Sequence, residues 1–287
     1  MNATIATRAR CGAILLLALA ATAGSDVAKA ADGWQLAAGG EVGDVGGWVQ
    51  VRENAIEGTR LHLHDDLGVQ HMQTLTLRAW RPLSDVSELH LGFATHRLDG
   101  STTLAAPVYF NGTTVAPGRL ATVTHFQDFL ALDAAYWRRL VDFGDGGRLW
   151  GSLGATFVLL NFRLDGTIAA DSVGHELKED FYVQELPVPV LGLHLRYPLT
   201  DALDLTADVS AGRLPWVNSL RTEGGEVRLA QTDEEEALGL AYRLAERWRV
   251  DAHVFHRYLA QDERSREDGN VIRLRSTGVG LQAACRF

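Results

Sequence analysis

The densest cluster of potential metal ligands in the sequence lies in one short polar stretch. Imidazole and carboxylate groups can hold a divalent cation, and the stretch contains His62, His64, Asp65, Asp66 and His71. Alternate histidines on an extended segment are not a strong metal spacing, and further ligands would have to come from other loops. We therefore predict a solvated loop with no resident cofactor, in which His62, His64, Asp65 and Asp66 are weak metal candidates.

Two other polar groups invite a chemical interpretation. The acidic run at residues 233–236 (DEEE) could bind calcium, although an exposed acidic rim is its commoner meaning. Ser172, His175 and Glu176 share one loop, but a serine hydrolase needs a base held within reach of the hydroxyl, and nothing in the spacing fixes that geometry. No G-x-S-x-G motif or phosphate-binding glycine loop is present. The sequence therefore names no catalytic residue, and an enzyme remains an alternative.

The first thirty residues have the composition of an export signal. Arg8 and Arg10 precede an apolar run at residues 13–21, and Ala28 and Ala30 form a small-x-small site. We predict cleavage after Ala30, which leaves residues 31–287 as one domain. The only cysteine beyond that site is Cys285, so the mature chain is expected to fold without an internal disulfide.

Charge and hydropathy exclude two further classes. The chain carries 27 basic and 36 acidic residues, a formal charge of -9, which argues against a nucleic-acid partner. Beyond the signal there is no apolar run of the roughly 18 residues that a transmembrane helix needs. At 287 residues, the chain is long enough for one large all-β domain.

Segments of alternating polarity, which are typical of strands with one apolar face, recur along the chain. Tight turns alternate with long loops between them, for example the turn at 81–85 and the loop at 98–121. We predict about ten strands, with eight to twelve as the range, at residues 45–52, 74–80, 88–96, 124–138, 149–162, 187–197, 202–212, 237–244, 248–258 and 273–287.

The final segment carries the clearest alternation and a family resemblance. Val279, Leu281, Ala283, Cys285 and Phe287 share one face, and the intervening residues are small or polar. A closing strand with these features resembles the C-terminal signature of bacterial outer-membrane β-barrel proteins, in build the small OmpA/OmpW-like barrels. The resemblance implies an all-β, antiparallel, up-and-down transmembrane barrel in the outer membrane. It also implies contact with membrane lipid and lipopolysaccharide, and selection by the barrel-assembly machinery through Phe287.

Strand parity then predicts which charged side chains face the lumen. A charge facing lipid near the midplane costs roughly 2–4 kcal/mol for Arg, so the charged face of each strand should point inward. Buried charges must be paired, which predicts a network that either stiffens the wall or forms a selectivity filter or proton path. Its predicted members are Arg78, His90, Asp133, His194, Arg196, Asp204, Asp208, Arg243, Arg249, Asp251 and His253.

The aromatic residues of the predicted strands fall mostly near the strand ends. Trp80, Tyr136, Trp137 and Trp150 belong to this set, and we predict that they lie where lipid meets water. For the whole protein we predict an envelope-structural role or passage of a small solute through a narrow lumen. The alternatives are an outer-membrane enzyme that hydrolyses lipid A or peptide, and a surface-binding barrel that acts through its loops.

Overall fold

The computed structural model describes residues 33–53, 55–170, 172, 177–183, 186–219, 226–266 and 268–287 as an all-β protein. Its strands are β1 (Gln35–Glu53), β2 (Ile56–Glu57), β3 (Leu61–His62), β4 (His71–Ser84), β5 (Ser87–Leu104), β6 (Val108–Phe110), β7 (Thr113–Thr124), β8 (Phe129–Asp142), β9 (Arg148–Ile168), β10 (Lys178–Val183), β11 (Val188–Pro198), β12 (Leu203–Asn218), β13 (Arg228–Arg243), β14 (Trp248–Arg264) and β15 (Gly269–Arg286). Among these residues, no helix is long and apolar enough to cross a membrane.

Ten of these strands close into a barrel. The ring runs β1, β4, β5, β8, β9, β11, β12, β13, β14, β15 and back to β1, and every neighbouring pair is antiparallel. The closing pair is in continuous register from Gln35 opposite Arg286 to Arg52 opposite Gly269. The predicted up-and-down barrel of about ten strands is therefore confirmed.

The two ends of the barrel differ in their connections. Short turns join β4 to β5, β8 to β9, β11 to β12 and β13 to β14, and we call this the turn end. The other end, the loop end, carries the long connections and the short strands β2, β3, β6, β7 and β10. Long loops alternate with tight turns as the sequence predicts.

Some of the loop-end segments complete the barrel wall. Strand β7 pairs with β5 and β9 above the point where β8 begins, so it takes the place of β8 toward the loop end. The segment after β3 lies against β5, where a Cβ on Gly100 would come within 2.5 Å of the Leu67 carbonyl oxygen. Only glycine permits this close backbone approach. The wall thus continues well beyond the predicted strand limits.

Several strand boundaries differ from the prediction. Strand β1 begins at Gln35, not Val45, because its glycines conceal the alternation. Strand β13 begins at Arg228, not Ala237, and so includes the acidic run. The predicted strand 124–138 is two elements, since β7 ends at Thr124 and β8 starts at Phe129.

Large aliphatic side chains cover the outside of the barrel near the turn end. Leu75 and Leu91 are each 41% exposed, Leu193 is 52% exposed and Leu281 is 59% exposed. Inward residues alternate with them, as the pleat of a strand requires. The outward-facing leucines therefore lie on the face that parity assigns to lipid.

The interior toward the loop end is mainly apolar, with a few buried polar side chains such as Thr122, Gln231 and Gln261, and the sequence analysis did not predict this. A cluster of buried side chains, which we call the apolar plug, combines inward residues of the long strands with residues of the connecting segments. The plug consists of Val45, Val49, Val51, Leu61, Leu63, Leu67, Val69, Met72, Leu98, Phe110, Val115, Leu120, Phe129, Val158, Leu160, Phe162, Leu164, Leu177, Leu259, Ile272 and Leu274. The expectation of an ionic interior along the whole barrel is thus wrong for the loop half.

Candidate functional site

A polar cavity occupies the lumen between the turn end and the apolar plug. Its volume is about 430 Å³, and we call it the lumen cavity. Its lining starts near the turn end with Gln35, Arg148 and Arg196, and ends against the plug residues Leu259 and Leu274. Arg148 and Arg196 side chains are 52% and 47% exposed, so the cavity is wet at its turn end.

An ionic cluster lies where the lumen cavity meets the plug. The Arg257 guanidinium donates to both Glu41 oxygens, and its Nη2 and Nε atoms each lie 3.1 Å from a Glu235 oxygen. His253 Nε2 is 3.1 Å from Glu41 Oε1, and Arg78 is 3.6 Å from Glu235. The Glu41 side chain is only 2% exposed, so its charge depends on these partners.

Four stacked rings lie along the wall of the lumen cavity. His90 lies 6.1 Å from Trp80 and 3.7 Å from Trp137, measured between ring centroids, and His194 packs on Trp137 at 3.5 Å. The planes of neighbouring rings are within 11° of parallel. His90 is also held by Glu88, 2.8 Å from its Nε2. The stack fixes both imidazoles against the wall.

His194 is also hydrogen-bonded at both of its ring nitrogens. Its Nδ1 lies 2.8 Å from Asp208 Oδ1, and its Nε2 lies 2.9 Å from Ser152 Oγ. Ser152 is on β9, His194 on β11 and Asp208 on β12, three strands that are adjacent in the ring. The carboxylate, imidazole and hydroxyl are therefore in line, with the imidazole in the middle.

The structure places the charges assigned to the lumen as follows. Arg78, His90, Asp133, His194, Arg196, Asp208, Arg249, Asp251 and His253 all line the lumen cavity. Asp204 is 4.0 Å from the Arg196 side chain, whereas Arg243 is exposed at the end of β13. Arg249 pairs with Asp251 at 3.1 Å, and Asp133 accepts a hydrogen bond from Thr156.

Sequence reasoning did not single out several residues that stand at the centre of this site. Glu41 is hidden in a glycine-rich stretch, Glu235 was assigned to a rim, and Arg257 and Ser152 were not selected. The acidic run alternates within β13, so that Asp233 and Glu235 line the cavity. Continuing the parity of Arg249 along β14 would have found Arg257. The interpretation of the run as an exposed rim is wrong for Glu235, which pairs with Arg257.

The girdle of aromatics needs a similar correction. Trp80 and Trp150 are buried, and with Trp137 they line the lumen cavity instead of the boundary between lipid and water. Trp80 lies two residues after the inward-facing Arg78, so strand parity already places it inside. Tyr136 is outward and 42% exposed.

Among the described residues, the weak metal candidates at the loop end form separate histidine–carboxylate pairs. His62 Nδ1 pairs with Asp66 at 3.0 Å and His64 Nδ1 with Asp65 at 2.8 Å. In the described part of the chain, no group of three or more side chains could hold a metal ion. Ser172 accepts a hydrogen bond from the Thr114 amide, while His175 and Glu176 lie outside the described residues.

A closed antiparallel barrel with an apolar outer face and a polar lumen defines the outer-membrane β-barrel class, and the chain has this fold. Outer membrane protease OmpT from Escherichia coli is similar in fold, with a TM-score of 0.50 and 11% identity over 86% of this chain and 96% of that one. The translocator domain of autotransporter NalP from Neisseria meningitidis gives a TM-score of 0.38, with 14% identity over 99% and 98% of the two chains. Outer membrane protein OprG from Pseudomonas aeruginosa gives 0.33, with 11% identity over 88% and 96%.

No protein-family model and no curated protein sequence matches the chain. At 11% identity, the likeness to OmpT shows the fold alone. The resemblance inferred from the closing strand, to the class of bacterial outer-membrane β-barrels, is confirmed by the fold.

Proposed function

We propose that this protein spans the bacterial outer membrane with the half of the barrel that contains the lumen cavity, which we call the turn half. The half that contains the apolar plug, the loop half, lies in water. The exposed aliphatic side chains outside the lumen cavity suit a hydrocarbon environment. Beyond them, the outward positions carry Asp44, His71, Arg97, Arg213 and Glu234, all exposed. Barrels of this class have short periplasmic turns, so the turn end would face the periplasm.

Within the membrane, the barrel acts as a blind chamber that receives a small polar solute from the turn end. The single observation that carries this proposal is the apolar plug directly above the lumen cavity. Phe129, Val158, Leu259 and Leu274 belong to the plug and also line the cavity. A layer of buried apolar side chains opposes the passage of ions, because an unpaired charge in an apolar medium is strongly disfavoured.

The paired charges of the chamber also give the wall its stiffness. Arg257 joins β14 to Glu41 on β1 and to Glu235 on β13. The fork of a guanidinium suits such bidentate pairing. The proposal includes contact with lipid and lipopolysaccharide around the outside, and recognition of Phe287 by the barrel-assembly machinery.

Planar-bilayer recording tests the chamber directly. The purified protein, inserted with a confirmed folded barrel, should give no steady ion conductance, because the plug closes the lumen. The double variant Phe110→Ala/Phe162→Ala removes two plug rings whose centroids are 6.4 Å apart and should make current events appear. A steady conductance from the unaltered protein would overturn the chamber in favour of a through passage.

A further inference from the structure

We propose that Ser152, His194 and Asp208 form an acyl-transfer centre that hydrolyses a small carboxylic ester with an anionic group. The inference rests on the proposed chamber, because the substrate must reach the lumen cavity from the turn end. It concerns a different serine from Ser172, and it is carried by two hydrogen bonds and the packing around one imidazole.

The two hydrogen bonds of His194 set its tautomer. An ionised carboxylate can only accept, so Asp208 Oδ1 accepts the Nδ1 proton across 2.8 Å. The other ring nitrogen, Nε2, then carries the lone pair and accepts the Ser152 hydroxyl proton across 2.9 Å. A base held in this tautomer beside a hydroxyl is the arrangement that nucleophilic serine catalysis requires.

Packing fixes the imidazole in that orientation. Trp137 lies flat on His194, with 3.5 Å between centroids and 11° between planes. Gly192, which has no side chain, leaves room for the His194 ring to reach Ser152. A Cβ at Gly192 would lie 2.5 Å from Ser152 Oγ and 2.8 Å from His194 Nε2. The hydrogen bond between serine and histidine therefore depends on glycine at this position.

The reacting groups stand on a rigid scaffold. Gly192 is directly opposite Ser152 in the ladder between β11 and β9, and His194 is directly opposite Asp208 in the ladder between β11 and β12. Groups on paired strands are positioned more accurately than groups on loops. The His194 side chain is 11% exposed and that of Asp208 is 41% exposed, so the centre borders the cavity.

The reaction follows from these positions. As Ser152 Oγ bonds to the ester carbonyl carbon, its proton moves to His194 Nε2 and the carbonyl π electrons move to the oxygen. Collapse of this tetrahedral species breaks the bond to the alkoxy group, which leaves as an alcohol with the Nε2 proton. Water then attacks the acyl group by the same route, which releases the acid and restores the serine.

The cavity restricts the class of substrate. Arg148 and Arg196 are opposite each other in the ladder between β9 and β11, on the same two strands as Ser152 and His194. Both line the cavity near its mouth and are about half exposed. Their contacts with Asp142, at 3.6 Å, and Asp204, at 4.0 Å, are long, so each guanidinium can also bind a carboxylate or phosphate of the substrate. A volume of about 430 Å³ suits a small molecule.

A fluorophosphonate probe and two esters test the proposal with the full-length barrel. The probe should label Ser152, as located by peptide mass spectrometry, and 4-nitrophenyl hydrogen succinate should be turned over faster than 4-nitrophenyl acetate. Ser152→Ala and His194→Gln should abolish both labelling and turnover. Asp208→Asn should lower turnover by about a hundredfold or more, since the wrong tautomer is then favoured. Ser101→Ala, at an exposed serine on β5 outside the cavity lining, should change neither readout.

Two further variants separate chemistry from binding and from folding. Arg196→Gln should raise KM for the succinate ester by a larger factor than KM for the acetate. Gly192→Ala should lose labelling, whereas Gly40→Ala should keep it, because a Cβ at Gly40 meets only the Thr74 carbonyl oxygen at 3.8 Å. A heat-modifiable band on a gel verifies that each variant is folded.

The proposal fails if the folded wild-type protein is not labelled, or if Ser152→Ala is labelled and active to the same extent. This outcome is independent of the bilayer experiment. If the bilayer shows no conductance and the probe labels no serine, the acyl-transfer centre is ruled out and the chamber is supported. Conductance with labelling of Ser152 would remove the chamber and keep the centre.

Discussion

The turn half and the loop half of the barrel have opposite polarity. In the turn half, leucines and valines face outward and the lumen holds Glu41, Arg257 and their partners. In the loop half, charged residues such as Arg97 and Arg213 face outward, and the interior is the apolar plug. The same ten-stranded wall carries both arrangements. With the proposed placement in the membrane, the half surrounded by water has an apolar core like that of a water-soluble protein, and the half surrounded by lipid has a polar lumen.

The largest effect should come from breaking the ionic cluster of the turn half. Arg257→Met leaves Glu41 and Glu235 without their main partner, and removing one member of a buried pair costs about 3–5 kcal/mol. We expect a decrease of this size in the free energy of unfolding. It can be measured by urea unfolding in lipid vesicles, with tryptophan fluorescence as the signal. The triple variant Glu41→Gln/Glu235→Gln/Arg257→Met should be less destabilised than Arg257→Met alone. Equal destabilisation of the two would contradict the pairing.

A core substitution should show that the loop half behaves like the interior of a water-soluble protein. Leu160 is fully buried in the plug, so Leu160→Ala should destabilise the barrel by about 3 kcal/mol through lost transfer energy and a cavity. The control is Arg163→Ala on the outer face of the same strand, which should stay within about 0.5 kcal/mol. The two unfolding midpoints in urea would be indistinguishable if the loop half were loosely packed.

The outer face of the turn half can be tested by depth. Leu193→Arg places a charge in the middle of β11, and should cost about 2–4 kcal/mol in a bilayer. Leu199→Arg lies in the following turn, at a similar exposure of 49%, and should cost about 0–1 kcal/mol. Comparable losses of unfolding free energy at the two positions, measured by unfolding from vesicles, would contradict the placement of β11 in the bilayer.

The smallest effect is a pH dependence in the turn between β8 and β9. The Tyr197 hydroxyl donates to Asp145 and, with the Gly147 amide, holds the pKa of that carboxyl below its ordinary value. A depressed folded pKa adds stability above the unfolded pKa, and this stability is lost as pH falls through the folded pKa. Wild type should therefore exceed Asp145→Asn slightly in stability at neutral pH, with the difference fading in acid. A difference that grows in acid would have the wrong sign.

Alternation predicted the strands, because outward positions of the turn half are apolar at every second residue, and the resemblance of the closing strand implied that these strands form a barrel. The same signal failed in the loop half, where the polarity is reversed and where Leu61, Leu63 and Leu67 enter the core from a connecting segment. The acidic run 233–236 interrupted the apolar face of β13 and shortened the predicted strand.

The candidate site was predicted in part for a similar reason. Parity on β11 and β12 pointed His194 and Asp208 inward, but a serine on an inner face is too common to single out. That Ser152 meets His194 follows from the register of β9 with β11, in which His194 stands opposite Trp150 and reaches diagonally across Gly192. Register between strands distant in sequence is a property of the closed ring and is not visible in the pattern of one strand.

The division of the lumen into a wet turn half and a sealed loop half is tested most directly by thiol labelling. In a Cys285→Ser background, Thr206→Cys puts a thiol in the lumen cavity and Leu160→Cys puts one in the plug, away from the cavity lining. Cysteines at Asp201 in a turn and at Ile56 at the loop end report orientation in proteoliposomes. A membrane-impermeant maleimide should modify Thr206→Cys from the turn side only and leave Leu160→Cys unmodified from either side. Modification of Thr206→Cys from the loop side would contradict the account.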